Sequence, residues 1–427
     1  MTMATASPAL GFTSDPTLPQ RDLLLDPDSV VEQLGRISHH DINIESCSLR
    51  RVKYRIGESL RVVYDVVADG RHFVISARTF HNSAEVFRKA EVNAERVLGM
   101  PGVAHDPLND TVWWTLPNDR KLRNLSTLLD PPVRVRRSSG VAWDQSELVE
   151  YAPEKSATVR IVDPHGQVSG FAKAYLDRDA MEVANQYNRI AASIALLDGI
   201  RTPRALGWAR PDRIIVLEPM RGRPWTQLPA EIQPVAMQQL GAALAHIHGL
   251  PTDSGRGPFQ RYREERVFNS ADLVAIARPD VADAIRAVRN QLADGPPAPP
   301  AIVCLHGDVH ANNVLFHDDE VHMIDFDQGG SGAAAADMGS MLGTLLATQL
   351  LHPETPADGL GAAFIDGYSA VRQLPSNAEL RWYTAAALVA ERAIRAVNRV
   401  NRPVLAVLPE LIAMADAVLA GKLSAGG

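Results

Sequence analysis

Cysteine is nearly missing from this sequence of 427 residues: only Cys47 and Cys304 are present. Two cysteines cannot build a disulfide framework, and their scarcity suits a reducing compartment, so a cytoplasmic protein is expected. Long apolar runs are missing too. None approaches the roughly 20 residues of a membrane span, and the opening MTMATASPALGFTSDPTLPQRD lacks the basic-then-apolar order of a signal peptide. No membrane partner is therefore expected. Basic charge is in short supply: the formal net charge is -7, and no basic run is long enough for a nucleic-acid arm, so no nucleic-acid partner is expected either. Lysine is the scarcest charge, supplying six of the 43 Lys and Arg residues, which makes any lysine in an apolar setting informative. What remains, 46% apolar and 22% charged, is a globular composition long enough for two or three domains.

The densest chemistry lies in CLHGDVHANNVLFHDDEVHMIDFDQGGSGAAAADMG, residues 304 to 339. A short apolar strand runs into His306-Gly307-Asp308, and Asn313 follows five residues after Asp308. A second strand, a turn at Asp318-Asp319 and a third strand then deliver Asp325-Phe326-Asp327. That alternation brings the Asp308 loop close to Asp325. Phosphoryl transfer wants such a site, because it must neutralise phosphate charge and align an attacking hydroxyl. Asp308 suits the hydroxyl proton; Asn313 and Asp325 suit Mg²⁺ through oxygen. The spacing H-G-D-V-H-A-N-N parallels the protein-kinase loop H-R-D-x-x-x-x-N, with D-F-D where kinases have D-F-G. Taken singly, each acid is an ordinary turn residue. The ordered set is specific. His306, His310, His317 and His322 lack the companions of a zinc site, and none is expected.

At these residues the chain resembles the aminoglycoside phosphotransferase and choline kinase superfamily, whose pattern reads H-G-D-x-x-x-x-N, then I-D-[FW]-[DE], then D-[LM]-[AG]. The resemblance implies an α+β, protein-kinase-like two-lobe fold, with a small β-rich N-lobe and a large helical C-lobe. It implies Asp308 as catalytic base, Asn313 and Asp325 as Mg²⁺ ligands, Asp337 as a structural acid bracing the loop and His306 as support. Asp327 either braces the loop or faces substrate. ATP and Mg²⁺ are the implied cofactors, and a small-molecule hydroxyl the implied acceptor; the oligomeric state is left open.

Upstream, residues 1–20 are expected to be disordered or loosely attached. Residues 21–132 read as an extra N-terminal, cap-like α+β domain, 133–147 as a linker, 148–220 as the nucleotide-binding N-lobe and 221–424 as the helical C-lobe. The two β units echo each other: Tyr54 with Tyr151, Ser59 with Ser156, and the stretch 77–80 with 172–175. Only the second copy carries a strand lysine, Lys173, for the α/β-phosphates; the first has Arg78, a bulkier fork. No Gly-rich loop precedes Lys173, so backbone N–H groups and Ser156 are the expected phosphate cover. In the following helix Glu182 is the acid placed to pair with Lys173, or else it is solvated. Glu218 to Met220 resemble the inter-lobe hinge, which implies adenine against Glu218 with Met220 lining the pocket.

The acceptor is less legible. A polycation would want acids, for which Glu354, Asp358, Asp366, Glu379 and Glu391 are candidates. Arg392, Arg395, Arg399 and Arg402 argue the other way, since spacings of three and four put several on one helical face. That face either attracts an anionic or sugar-like acceptor or is simply solvated, and charge runs are usually solvated. The alternatives kept open are a sugar kinase of the maltose or glucosamine type, and a catalytically silent pseudokinase.

Overall fold

The structure, a computed structural model, describes residues 11–38, 42–252, 259, 261–262, 264–296, 301–353 and 359–422. The expectation for residues 1–10 lies outside these, as do Glu354 and Asp358.

Two five-stranded antiparallel sheets dominate the first half. The first comprises β1 (Ile44–Arg55), β2 (Ser59–Ala68), β3 (Arg71–Thr79), β4 (Val103–Asp106) and β5 (Thr111–Thr115), in the order β1-β2-β3-β5-β4. The β2–β3 turn is closed by Asp69 and Gly70, with φ of 48° and 70°; two consecutive positive φ values match the right-handed strand twist of a tight hairpin. The second sheet holds β6 (Gln145–Ala152), β7 (Ser156–Val162) and β8 (Val168–Tyr175). Beyond the short β9 (Ile200–Arg201) it is completed by β10 (Ala205–Ala209) and β11 (Ile214–Leu217), in the order β6-β7-β8-β11-β10. The strand orders are the same, and in each unit a helix, Ser83–Glu91 or Ala180–Ile194, follows the third strand. The repeat read from two hairpins thus extends to a whole sheet and its helix.

Two segments are better held than expected. Residues 11–20 are a packed strap. The Thr13 amide donates to the Ala277 carbonyl (3.1 Å), while Asp15 accepts from the Tyr54 hydroxyl (2.7 Å) and the Gly57 amide (2.9 Å), with Leu18 buried beside them. The strap ties β1 to the helical lobe. Residues 133–147 are no loose linker: they form the helix Val133–Ser138 and the start of β6, and Val135 and Trp143 enter the core of the second sheet. Their polar look comes from arginines such as Arg136, whose guanidinium donates to the carbonyls of Pro131 (2.9 Å) and Trp143 (2.7 Å).

The helical lobe packs closely where its helices carry glycine. Gln233–His248 lies so near Leu360–Ser369 that a Cβ on Gly241 or Gly367 would enter the backbone of the other helix. Beside Ala334–Leu351 runs Asn377–Ala387, which begins on a capping box between Ser376 and Glu379. That helix is followed by a π turn at Leu388–Ala393 before the chain resumes as the α-helix Ile394–Arg399, which rests on β1. Such insertions rotate the helix face, and they recur at functional sites. Between the sheets and this lobe lie β12 (Ile302–Leu305), β13 (Val314–His317), β14 (Glu320–Met323) and β15 (Gly330–Ala333). The hairpin β13–β14 pairs with β9, and β12 with β15.

Candidate active site

The hairpin sets the geometry. Val314 pairs with Met323, and the Ile324 amide donates to the Asn313 carbonyl (2.9 Å), so Asn313 and Asp325 emerge at the same end of β13–β14. Asp325 itself adopts the left-handed conformation, φ 60° and ψ 59°, uncommon for a side-chain-bearing residue and tolerated best by Asp, Asn and Gly. The Asn313 amide nitrogen donates to the Asp308 carbonyl (3.0 Å), which leaves its oxygen for another partner.

The Asp308 loop is braced from behind. Asp337, 1% exposed, accepts from the His306 amide (2.7 Å) and the Gly307 amide (2.9 Å), with His248 Nε2 at 3.3 Å. Gly307 has φ 83°, and a Cβ there would drive into the Gln328 carbonyl. Burial lowers the His306 pKa. A neutral ring fits its contacts, with Nε2 donating to the Ile324 carbonyl (3.0 Å) and Nδ1 accepting from the Asp308 amide (3.3 Å). Asp337→Ala strands two buried donors, each costing about 1–3 kcal/mol. Urea denaturation should show a loss of about 3 kcal/mol; a loss well below 1 kcal/mol would show that the loop does not depend on this brace.

Asp308 is ringed by two guanidiniums and an imidazole. Its Oδ1 lies 3.0 Å from Arg261 Nη1 and 3.5 Å from Arg395 Nη2, and its Oδ2 lies 3.6 Å from His310 Nε2. Burial would raise this carboxyl. The His310 hydrogen bond and the two guanidiniums overcome that and hold it far below the usual carboxylate range. Behind it Glu391, carried by the π turn and fully buried, accepts from Arg261 (3.1 Å), Arg392 (3.3 Å), the Ser340 hydroxyl (3.1 Å) and the Tyr262 hydroxyl. Burial alone would raise Glu391, yet Arg261, Arg392 and Arg395 pull it to about 2 from 4.5. The folded value lies below the unfolded one, so its contribution to stability is whole above about pH 4.5 and is lost as the pH falls toward about 2. Acid denaturation followed by circular dichroism should be steeper over that window in the native chain than in Glu391→Gln; equal slopes would contradict this.

Lys173, on β8, reaches across to Asp327 (2.6 Å) and Asp325 (3.1 Å). Burial would lower its pKa, and the two carboxylates more than reverse the effect, so it stays charged. Asp327 also takes Arg178 (3.0 Å) and accepts from the Tyr175 hydroxyl (3.2 Å). Glu182 is not that partner. It sits exposed in the first turn of Ala180–Ile194, where the Asp179 cap orients the backbone, and the buried face of the helix presents Val183 and Tyr187.

A cleft of about 340 Å³ lies between β8, β11 and the hairpin. Its lining joins Phe171, Leu217, Met220 and Leu315 to Lys173, Asn313 and Asp325, with Glu218, just after β11, salt-bridged to Arg204 (3.2 Å). Ser156 is not in that lining; Thr158, two residues along the same face of β7, is. The β6–β7 turn is instead drawn to the first sheet. Glu154 is clamped by Arg78 (2.6 Å), Arg61 (3.1 Å) and Arg120 (3.1 Å), and its amide donates to Asp119 (3.0 Å). The arginine that stands where the second copy has Lys173 therefore holds the turn above the cleft. Neither Thr158 nor the clamp was foreseen. The one sequence signal for the clamp is an acid, Glu154, at a loop tip in a chain whose positive charge is mostly arginine.

The two-lobe fold is that of the protein-kinase-like phosphotransferases that act on small molecules. Over residues 154–383, more than half of its length, the chain matches the phosphotransferase enzyme family, and it belongs to that family. It is accordingly a phosphotransferase with an alcohol group as acceptor. Among solved structures, macrolide 2'-phosphotransferase MphH from Brachybacterium faecium is 16% identical, with 68% of this chain and 97% of that one covered and a TM-score of 0.43. For aminoglycoside phosphotransferase APH(3'')-Id from Streptomyces rimosus the figures are 21%, 60%, 94% and 0.41. The amicoumacin kinase hAmiN, in complex with AMP-PNP, Ca2+ and Ami, gives 12%, 70%, 96% and 0.46. No curated protein matches the chain. Among the described residues no helix is long and apolar enough to cross a membrane.

Proposed function

We propose that the chain transfers the γ-phosphoryl group of ATP to a hydroxyl of a small molecule, with Asp308 at the acceptor oxygen. The observation that carries this reading is an ionised, half-enclosed Asp308 on a braced loop, beside a cleft in which a buried lysine faces the hairpin end bearing Asn313 and Asp325. The acceptor oxygen attacks the γ-phosphorus, the bond to the β–γ bridging oxygen breaks, and ADP leaves. The hydroxyl proton passes to Asp308. A carboxylate held so far below its usual range is a weak base, so Asp308 orients the hydroxyl and takes the proton late, as suits a loose transition state.

Lys173 steadies the α/β-phosphates, Asp327 aims it, and the apolar walls at Leu217 and Met220 receive adenine against Glu218. Thr158 and the clamped β6–β7 turn replace Ser156 as cover, and Glu182 has no part. Asn313 and Asp325 supply two oxygen donors for Mg²⁺. Mg²⁺ held by these two would complete its shell with phosphate and water. Bound there, Mg²⁺ would neutralise phosphate charge. Residues 148–220 then serve as nucleotide lobe and 221–424 as catalytic lobe, beneath the N-terminal unit. A sequence with only two cysteines, too few for a disulfide framework, suits reaction in the cytosol.

The test is ADP release by the purified chain with ATP and Mg²⁺ against aminoglycosides, sugars, amino alcohols, nucleosides and their phosphorylated or carboxylated derivatives. Stoichiometric ADP and phosphorylated acceptor would support the reading. An empty cleft at millimolar ATP and Mg²⁺ would overturn it.

A further inference from the structure

The space in front of Asp308 carries more positive charge than the protein itself neutralises. Arg261, Arg392 and Arg395 converge on Asp308 and Glu391 and share those two carboxylates. Two further guanidiniums stand beside them. Arg266 lies in the first turn of Glu264–Ala277, which packs on the Leu388–Ala393 turn and on Ile394–Arg399; Arg399 ends that last helix, four residues and about one turn from Arg395. Both are solvent-exposed, and neither forms an ion pair among the described residues. Among the described residues, five guanidiniums therefore face two carboxylates.

Of the arginine stripe, which the sequence leaves open between an acceptor-attracting and a solvated face, Arg392 and Arg395 are turned toward the Asp308 loop. The π turn rotates Glu391 inward, so that Arg392 and Arg395, with side chains only 19% and 26% exposed, follow it, while Arg402 starts the next helix and stays outside. The N-terminal unit adds to the charge. Arg51, Lys53 and Arg55 alternate on one face of β1, which rests on Ile394–Arg399; Arg51 spends its charge on Glu150 (2.6 Å). Burial and the neighbouring Arg55, Arg61, Lys155 and Arg51 drop the Lys53 amine to about 8. Of the candidate acids among the described residues, Glu391 is buried and neutralised, Asp366 lies on Leu360–Ser369, and Glu379 is used in its helix cap.

A hydroxyl substrate that must approach Asp308 through this field is favoured if it brings negative charge, since unpaired like charges at short range are relieved by an anion. We propose that the acceptor is a hydroxylated small molecule bearing its own oxyanion group, a phosphate or a carboxylate, seated between Arg266, Arg395 and Arg399 while its hydroxyl faces Asp308. This deepens the proposed function and rests on it. Phosphoryl transfer then runs as above, the acceptor's oxyanion group staying unchanged.

The proposal is tested on the full chain with the cleft saturated by AMP-PNP and Mg²⁺, so that phosphate cannot be drawn to the nucleotide site. Inorganic phosphate and malonate are titrated by calorimetry into the native chain and into Arg266→Glu and Arg399→Glu, both exposed positions. One of the two anions is expected to bind in the millimolar range or tighter and to lose at least tenfold in each variant, with AMP-PNP affinity unchanged; the tighter anion names the group. Absence of binding, or binding that both substitutions leave unaltered, would overturn the proposal. So would turnover of a polycationic aminoglycoside that neither anion inhibits. If AMP-PNP fails to bind while phosphate binding still depends on Arg266 and Arg399, the kinase reading falls and the anion site stands.

Discussion

Asp308→Asn is expected to lower turnover by about 10³-fold, within the range of a positioned acid–base group, and to leave AMP-PNP affinity within about threefold of native. The amide keeps the size of the side chain, so the loop braced by Asp337 and the Asn313 contact to the Asp308 carbonyl remain. What disappears is the carboxylate that would accept the hydroxyl proton. Arg261 and Arg395 keep a partner in Glu391, so folding should be little affected. Fluorescence or calorimetric titration with AMP-PNP alongside single-turnover kinetics separates the two effects. An equal loss of binding and turnover would place Asp308 on the nucleotide and remove it from the acceptor.

Asp325 should behave differently. Asp325→Ala is expected to abolish turnover and to weaken Mg²⁺-nucleotide binding by at least about 30-fold, because a charged oxygen donor facing the phosphates is removed. Lys173 would retain Asp327, so a collapse of the lysine cannot explain the loss. Backbone strain is a second effect of the alanine: a left-handed conformation costs about 1–2 kcal/mol for most residues and less for asparagine. Asp325→Asn separates the two, since it keeps the favourable backbone and removes the charge. Loss of Mg²⁺-dependent binding in both variants, with urea stability restored only in the asparagine, is the expected pattern. Binding kept in Asp325→Asn would show the position to be conformational.

The segment from Cys304 to Gly339 was readable because its groups act locally. Asp308, Asn313 and Asp325 sit at fixed offsets around short strands, and strand pairing alone brings them together. Asp337 is reached from that same segment through backbone amides. The failures share a different cause, which is distance along the chain. The acids that meet Lys173 are Asp327 and Asp325, 154 and 152 residues away, and no helical offset could have preferred them to Glu182. Glu154 meets Arg78 and Arg61 across two sheets, so a turn that looked like phosphate cover became an anchor to the N-terminal unit. The arginine stripe was visible, but its direction depended on a π turn that no helical periodicity announces. Strand order was half legible: turns marked the first three strands of each sheet, while the placing of β5 beside β3 and β11 beside β8 is tertiary.

Calorimetric titration of AMP-PNP into the native chain, with Mg²⁺ and with the metal chelated, tests most directly whether the cleft between β8, β11 and the β13–β14 hairpin is a nucleotide site. The expected result is one site per chain with micromolar affinity, weakened at least tenfold by chelation. No binding, or the same affinity without the metal, would contradict the assignment of Lys173, Asn313 and Asp325 to the phosphates.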